Sequence, residues 1–300
     1  MNFRLAFTLG LAGATLLASS PLAQTRDDGG RDRDRIRVRE RVVYRASIRD
    51  VSSIVQRSFD DDPCRDAGWD DDYYRTCEVR EESMAAQPLT VDAGRNGGIM
   101  VQGWDRNEIL VRAIVSANAR SEADAKQLAS EVQVQVAGGK VSSTGPTTER
   151  RQWWSVSYRI NVPRRNDLDL HANNGGVSIT GVSGAIRFDT TNGGVRLNEL
   201  AGDVRGETRN GALNVVLSGD RWDGAGLDVQ TSNGGVTLTI PEGYNADLST
   251  RTVNGGFRTD FPMTIQGELS PRQGITTTLG SGGPPVSVRT TNGGLRIQKK

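Results

Sequence analysis

A short glycine turn recurs through the second half of the chain and places the strongest constraint on its fold. It reads TNGGV at residues 191–195, with variants at 173–177 (NNGGV), 209–213 (RNGAL), 232–236 (SNGGV), 253–257 (VNGGF) and 291–295 (TNGGL). The asparagines of these copies are Asn174, Asn192, Asn210, Asn233, Asn254 and Asn292, and an earlier copy contains Asn96. Their successive steps of 18, 18, 23, 21 and 38 residues are typical of a repeat architecture. The last step is about two repeats long, which predicts one degenerate repeat between Phe261 and Leu279.

Each copy joins two short runs in which apolar and polar residues alternate. Small residues lie two positions before each asparagine, and mostly apolar residues lie four and six positions before it and three and five positions after it. This spacing predicts two strands per repeat. Asparagine and glycine are expected at the joint because both tolerate a positive φ.

Two architectures fit this pattern. Asn-Gly between alternating strands is a strong signal for a type I′ hairpin, which would make the chain an antiparallel meander. Alternatively, each repeat is one coil of a β-solenoid, in which equivalent residues stack about 4.8 Å apart and the asparagines form a hydrogen-bonded ladder. The periodicity alone leaves both open. The similarity of the copies favours the solenoid, because stacking rewards identical residues.

The region before the repeats, residues 87–165, also alternates. Apolar residues at every second position within 108–119, 131–138 and 154–162 predict half-buried strands. Between the first two runs, residues 121–132 have apolar residues at helical spacing behind Ser121, a suitable N-cap. We therefore predict an all-β fold interrupted by one short α-helix.

The first 86 residues differ from the rest. Residues 1–23 have the order of a secretory signal peptide, which predicts export to the periplasm or the cell surface. Their apolar run is too short to span a bilayer as a helix, and no later run is longer. Residues 24–86 carry dense mixed charge and are predicted to form a partly disordered arm. Cys64 and Cys77 within it are predicted to form a disulfide, which an exported chain permits.

The charge balance argues against nucleic acid as a partner. Removing the signal peptide leaves 37 − 1 = 36 basic residues against 36 acidic ones. A neutral chain has no general attraction to a phosphate backbone.

No catalytic or cofactor-binding motif stands out. His171, the one histidine, is expected to point outward from a strand without a catalytic partner. The acidic triplets at 60–62 and 70–72 lack the spacing of a calcium loop. Neither a cofactor nor a metal is therefore expected.

Tryptophans are the candidate binding residues. Trp104, Trp153 and Trp154 could each stack on a sugar or a partner protein, although packing explains them equally well. Trp153 and Trp154 must face opposite sides of one strand, so at least one of them is expected to be exposed.

Three features follow one another in a fixed order: GGIMVQGWDRNEILVRA at 97–113, a strand ending in Val-Pro at 162–163, and the repeated NGG turns. In this order they resemble the bacterial DUF4097 family of candidate adhesins, over about residues 89–300. The resemblance implies a single-stranded right-handed β-helix, with an N-terminal capping region at 87–165 and repeats at 166–300, and a role in the cell envelope. The segment at 24–86 is not part of the family pattern.

These observations predict an exported, non-enzymatic, adhesin-like binding or structural module of the cell envelope. Its expected partners are a surface glycan or an envelope protein. One alternative is a periplasmic scaffold or envelope-stress sensing module, and another is a polysaccharide-acting β-helix enzyme. The sequence predicts no oligomeric state.

Overall fold

The computed structural model describes residues 62–65, 67–70, 72–148, 151–260, 269–270 and 274–300. The predicted signal peptide and most of the charged arm lie outside the described residues. The N-terminal elements are β1 (Gly68–Asp70), β2 (Tyr73–Ala85), β3 (Leu89–Asp92), β4 (Ile99–Trp104), β5 (Glu108–Ala119), α1 (Glu122–Glu131), β6 (Gln133–Ala137), β7 (Lys140–Thr144) and β8 (Trp153–Pro163).

The repeats contribute the remaining strands. They are β9 (Leu168–Asn174), β10 (Val177–Thr180), β11 (Ser183–Asn192), β12 (Val195–Asn198), β13 (Ala201–Asn210), β14 (Leu213–Val216), β15 (Gly226–Asn233), β16 (Val236–Ile240), β17 (Ala246–Asn254), β18 (Phe257–Thr259), β19 (Leu269–Ser270), β20 (Gly274–Leu279), β21 (Pro285–Asn292) and β22 (Leu295–Lys299).

The strands form two large sheets. Sheet A has the order β1-β2-β5-β8-β4-β10-β12-β14-β16-β22-β18, and sheet B has the order β19-β20-β17-β21-β15-β13-β11-β9-β3-β7-β6. Each NGG turn joins a strand of sheet B to a strand of sheet A, so the two strands flanking a turn are not paired with each other. Strands of successive repeats pair in parallel instead, with Leu168 beside Ile186 and Ile186 beside Val204. The repeats are therefore coils of a solenoid-like β fold, and the hairpin meander is excluded.

The C-terminal coil does not stack in chain order. Strand β21 lies between β15 and β17, and β22 lies between β16 and β18. The predicted degenerate repeat at 261–279 is wrong for its described part, because β20 runs antiparallel to β17 and covers the end of sheet B. The long final step in the sequence therefore includes an antiparallel hairpin, after which the chain returns to insert a coil between two earlier ones.

The turn glycines are required for a reason other than the one predicted. None of the NGG glycines has a φ in the left-handed region. A Cβ on Gly193, the first glycine of its turn, would instead stand 2.0 Å from the carbonyl oxygen of Gly175 in the preceding coil. The first glycine thus permits close stacking of the turns. The second position is more open, and Ala212 occupies it in the RNGAL copy.

The core is a continuous column of inward-facing side chains between the two sheets, from Leu89 to Ile297. Buried threonines line this column beside the turns. Each donates a hydrogen bond from its hydroxyl to the carbonyl oxygen of the first glycine in the neighbouring turn; Thr208 Oγ1, for example, lies 2.8 Å from the Gly193 oxygen. One coil has Gly206 where its neighbours carry large residues, and the Phe188 ring occupies that space. Residues of different size can therefore occupy equivalent positions of neighbouring coils, because a large side chain in one coil fills the space left by a small one in the next.

The N-terminal end is covered by antiparallel strands and the helix. Helix α1 has Ser121 as its N-cap, with the Ser121 hydroxyl accepting from the Asp124 backbone at 3.1 Å. Ala125, Leu128 and Ala129 are its buried face. Strand β2 pairs along its length with β5, so part of the charged segment 24–86 belongs to sheet A.

Candidate functional site

A groove of about 480 Å³ crosses the outer face of sheet A, where the sheet changes from antiparallel to parallel strands. Strands β2, β5 and β8 continue past the level at which β4, β10 and β12 begin after their turns. Their projecting ends form one wall, and the outer face of the first coils forms the floor. The charged and polar side chains of the groove are Arg75, Arg159, Arg196, Ser116, Ser155, Ser157, Ser178 and Asn214.

Strand register sets the floor of the groove. Arg159 lies beside Met100, Met100 beside Ser178, Ser178 beside Arg196, and Arg196 beside Asn214. One row therefore places Arg159 and Arg196 three strand spacings apart, or about 14 Å. Beside this row, the turn glycines present backbone without side chains, which keeps the groove open.

The described part of the arm contributes to the wall formed by β2, β5 and β8. Arg75 of β2 lines the groove, and so does Pro63. Cys64 and Cys77 form a disulfide with Cα atoms 5.4 Å apart. This bond holds the segment containing Pro63 against strand β2, so the arm shapes the groove.

The three candidate tryptophans lie in different surroundings. Trp153 is 41% exposed, packs edge-on against Tyr73 with ring centroids 4.8 Å apart, and shares the outer face of β8 with Ser155. Trp154 packs against the core and donates its Nε1 hydrogen to the Pro146 oxygen at 2.9 Å. Trp153 is therefore the one placed beside the groove.

Trp104 lies at the end of β4. Its Nε1 donates to the Glu108 oxygen at 2.8 Å, and the Arg106 guanidinium lies 4.8 Å from its ring centroid. These contacts give Trp104 a packing role at the β4–β5 connection.

The turn asparagines form one ladder at the corner between the sheets. Asn174 donates to Asn96 at 3.0 Å, and each following bond, through Asn192, Asn210, Asn233, Asn292 and Asn254, is 2.8 Å. The order of the last two asparagines follows the inserted C-terminal coil. The asparagines connect neighbouring coils through hydrogen bonds. They lie beside the groove, and none of them lines it.

Sheet B presents a different, mixed-charge outer face. Arg187 pairs with Asp203 at 2.7 Å and Arg289 with Asp228 at 2.8 Å. His171 lies between Asp169 and Asp189. Burial lowers the pKa of His171, but the hydrogen bond to Asp189 and the two carboxylate charges outweigh it, so the net pKa lies above its usual value. These side chains form a cluster of paired surface charges.

Sequence reasoning did not identify the groove arginines. Arg75, Arg159 and Arg196 come from the arm, the capping region and a coil, which are separate segments of the sequence. Arg196 occupies an outward repeat position, and no local motif connects it to the other two. In the part of the chain that the structure describes, no group of three or more His, Cys, Asp or Glu residues could hold a metal ion. No described helix is long and apolar enough to cross a membrane.

The family of the chain follows from its repeats and their cap. The model of the Toastrack DUF4097 family matches residues 87–298. The chain belongs to this family. The Toastrack match begins just after strand β2, so the arm that supplies Arg75 and the disulfide is an addition to the matched region.

Solved structures similar to this Toastrack chain are distant in sequence. A candidate cell adhesion protein from Clostridium sporogenes is 10% identical, with a TM-score of 0.38 over 74% of this chain and 100% of its own. A candidate adhesin from Bacteroides fragilis is 11% identical, with a TM-score of 0.29 over 74% of this chain and 97% of its own. A candidate lipid binding protein from Parabacteroides distasonis is 12% identical, with a TM-score of 0.26 over 75% of this chain and 96% of its own. No curated protein matches the chain.

Proposed function

We propose that this chain is an exported, non-enzymatic binding module of the cell envelope, adhesin-like in its action. The observation that carries the proposal is the groove on sheet A, which presents three arginines and several hydroxyls on a stacked β scaffold. Membership of the Toastrack family, and the adhesin names given to its structural neighbours, agree with it. The disulfide agrees with an oxidising, extracytoplasmic location.

The proposal includes a right-handed, single-stranded coil. Each coil leaves sheet B, passes through sheet A and returns to pair in parallel with its starting strand. Connections of this kind between parallel strands are right-handed in about 98% of cases.

Binding fits the groove better than catalysis does. Its lining contains no carboxylate and no histidine, so it lacks the paired acids by which glycoside hydrolases cleave their substrates. His171 and its two aspartates lie on the other sheet. Guanidinium and hydroxyl groups orient a ligand through hydrogen bonds and supply no acid-base pair near neutral pH.

The cellular location is tested by measuring whether a tagged form of the chain is accessible to protease and antibody on the cells that express it. Protease and antibody are applied to intact cells and to cells with a permeabilised outer membrane, with a periplasmic protein as the control for leakage. Exposure on intact cells supports the adhesin-like role. Protection until permeabilisation contradicts it and favours the periplasmic scaffold or sensing module.

A further inference from the structure

The groove on sheet A differs in charge from the rest of the molecule. The whole chain has 37 basic and 36 acidic residues, yet the groove is lined by Arg75, Arg159 and Arg196 and by no Asp or Glu. Elsewhere, several exposed arginines are paired with carboxylates, as Arg296 is with Asp260 at 2.6 Å. Among the residues that the structure describes, neither Arg75 nor Arg196 forms an ion pair. The groove is therefore a positive site on a neutral molecule.

The separation of the charges favours an extended ligand. The backbone positions of Arg159 and Arg196 lie about 14 Å apart along one row, and Arg75 lies on the wall formed by β2, β5 and β8. At this backbone spacing, a single small anion can contact the guanidinium groups together only if their side chains converge on it. A chain that carries anionic groups at intervals can contact them in extended conformations, because each guanidinium offers a fork of donors suited to carboxylate or sulfate oxygens.

The remaining lining suits a sugar backbone. The hydroxyls of Ser155, Ser157 and Ser178 can both donate and accept hydrogen bonds, as sugar hydroxyls do. The exposed Trp153 ring packs against Tyr73 of β2 and lies on the same face of β8 as Ser155, next to this polar surface. An aromatic ring that is partly packed and partly exposed to solvent is suited to stacking on a sugar ring.

We infer that the groove binds an acidic oligosaccharide, with Arg75, Arg159 and Arg196 contacting its carboxylate or sulfate groups. This inference rests on the proposed function as a binding module and names the ligand class of the same site. The charge pattern disfavours a neutral glycan, because burying Arg75 or Arg196 against a neutral sugar would leave a guanidinium charge without an ionic partner.

The test measures binding of defined oligosaccharides to the purified chain with its disulfide oxidised. The probes are hexagalacturonate, a heparin hexasaccharide, and methyl-esterified hexagalacturonate, which keeps the sugar backbone but lacks the charge. We expect at least one acidic probe to bind and the ester to bind at least about tenfold more weakly, as the loss of charged hydrogen bonds implies.

Arginine variants locate the site. Arg196→Gln and Arg159→Gln are each expected to weaken binding about tenfold. Arg258→Gln is the matched control, because Arg258 lies in the same cross-strand row as Arg196 but at the far end of sheet A. It removes the same charge and should leave the affinity unchanged. The folding of every variant is compared by thermal unfolding.

Three results would overturn the inference: binding of neither acidic probe, equal binding of the ester, or equal weakening by Arg258→Gln, which would indicate general charge attraction. None of them contradicts the proposed function, since a chain exposed on intact cells that ignores these probes still acts as a binding module for another ligand. Protection on intact cells, combined with acidic-oligosaccharide binding, would place the same groove in the periplasm.

Discussion

At the scale of single residues, the first glycine of each turn has no room for a side chain. We expect Gly193→Ala to destabilise the fold by about 1–3 kcal/mol or more, because its Cβ would stand 2.0 Å from the Gly175 carbonyl. Gly194→Ala is the matched control, since its Cβ would meet the Ala212 oxygen at 3.5 Å, an ordinary contact. It should change the free energy of unfolding by less than about 0.5 kcal/mol. Urea unfolding measures both, and equal losses would contradict the stacking explanation.

His171 gives the fold a small dependence on pH. Its pKa is raised in the folded state above the ordinary value of 6.5, so it contributes stability that is fully present below that pH and is lost as pH rises through the folded pKa. The stability difference between the wild type and His171→Gln should therefore be larger near about pH 5.5 than near about pH 8.5. Because the side chain is 42% exposed, we expect this difference to stay below about 1 kcal/mol. A difference that grows with pH would show that the sign is wrong.

At the scale of elements, the asparagine ladder couples neighbouring coils. Asn210 donates to Asn192 and accepts from Asn233, whereas Asn254 ends the ladder with one bond, to Asn292. At about 0.5–1.5 kcal/mol per bond, Asn210→Ala should cost about 1–3 kcal/mol and Asn254→Ala about half as much. Chemical denaturation of the two variants provides the comparison. Equal effects would mean that the ladder bonds contribute little beyond local turn geometry.

Strands and helix were predictable from local pattern, but strand β2 was not. The alternation in residues 108–119 predicts β5, and Ser121 with the apolar spacing behind it predicts α1, because in each case one face is buried. Strand β2 has charges on both faces, and its composition resembles a disordered segment. It is ordered through backbone pairing with β5 and through Arg80, whose guanidinium donates to the Ala129 oxygen at the end of α1, at 3.0 Å. Such contacts depend on tertiary placement and leave no periodic signal.

At the scale of the whole molecule, repeat similarity predicted stacking but could not predict stacking order. The strand edges of all coils carry nearly the same pattern of residues. The sequence of a coil therefore does not specify which two coils it pairs with. The groove escaped prediction for a related reason, since it exists only where the antiparallel cap meets the first parallel coils. Its three arginines are brought together by that junction.

The inserted C-terminal coil leads to a prediction about the whole fold. Strands β21 and β22 pair on both sides, with β15 and β17 in sheet B and with β16 and β18 in sheet A. Deleting residues 285–300 would therefore open a slot inside the stack, whereas loss of a terminal coil would only shorten it. We expect the truncated chain to lose protection from hydrogen exchange in both β15–β16 and β17–β18.

Adding the deleted segment back as a peptide distinguishes a local gap in the stack from general unfolding of the truncated chain. A synthetic peptide of residues 285–300 should bind the truncated chain and restore protection on both sides of the slot, because it supplies the backbone donors and acceptors of four strand pairings. A peptide with Val286, Val288, Leu295 and Ile297 replaced by Asp should not, since these side chains are buried in the core. If the truncated chain instead keeps full protection in β15–β16 and β17–β18, the two coils close on each other and the inserted coil is dispensable for stacking.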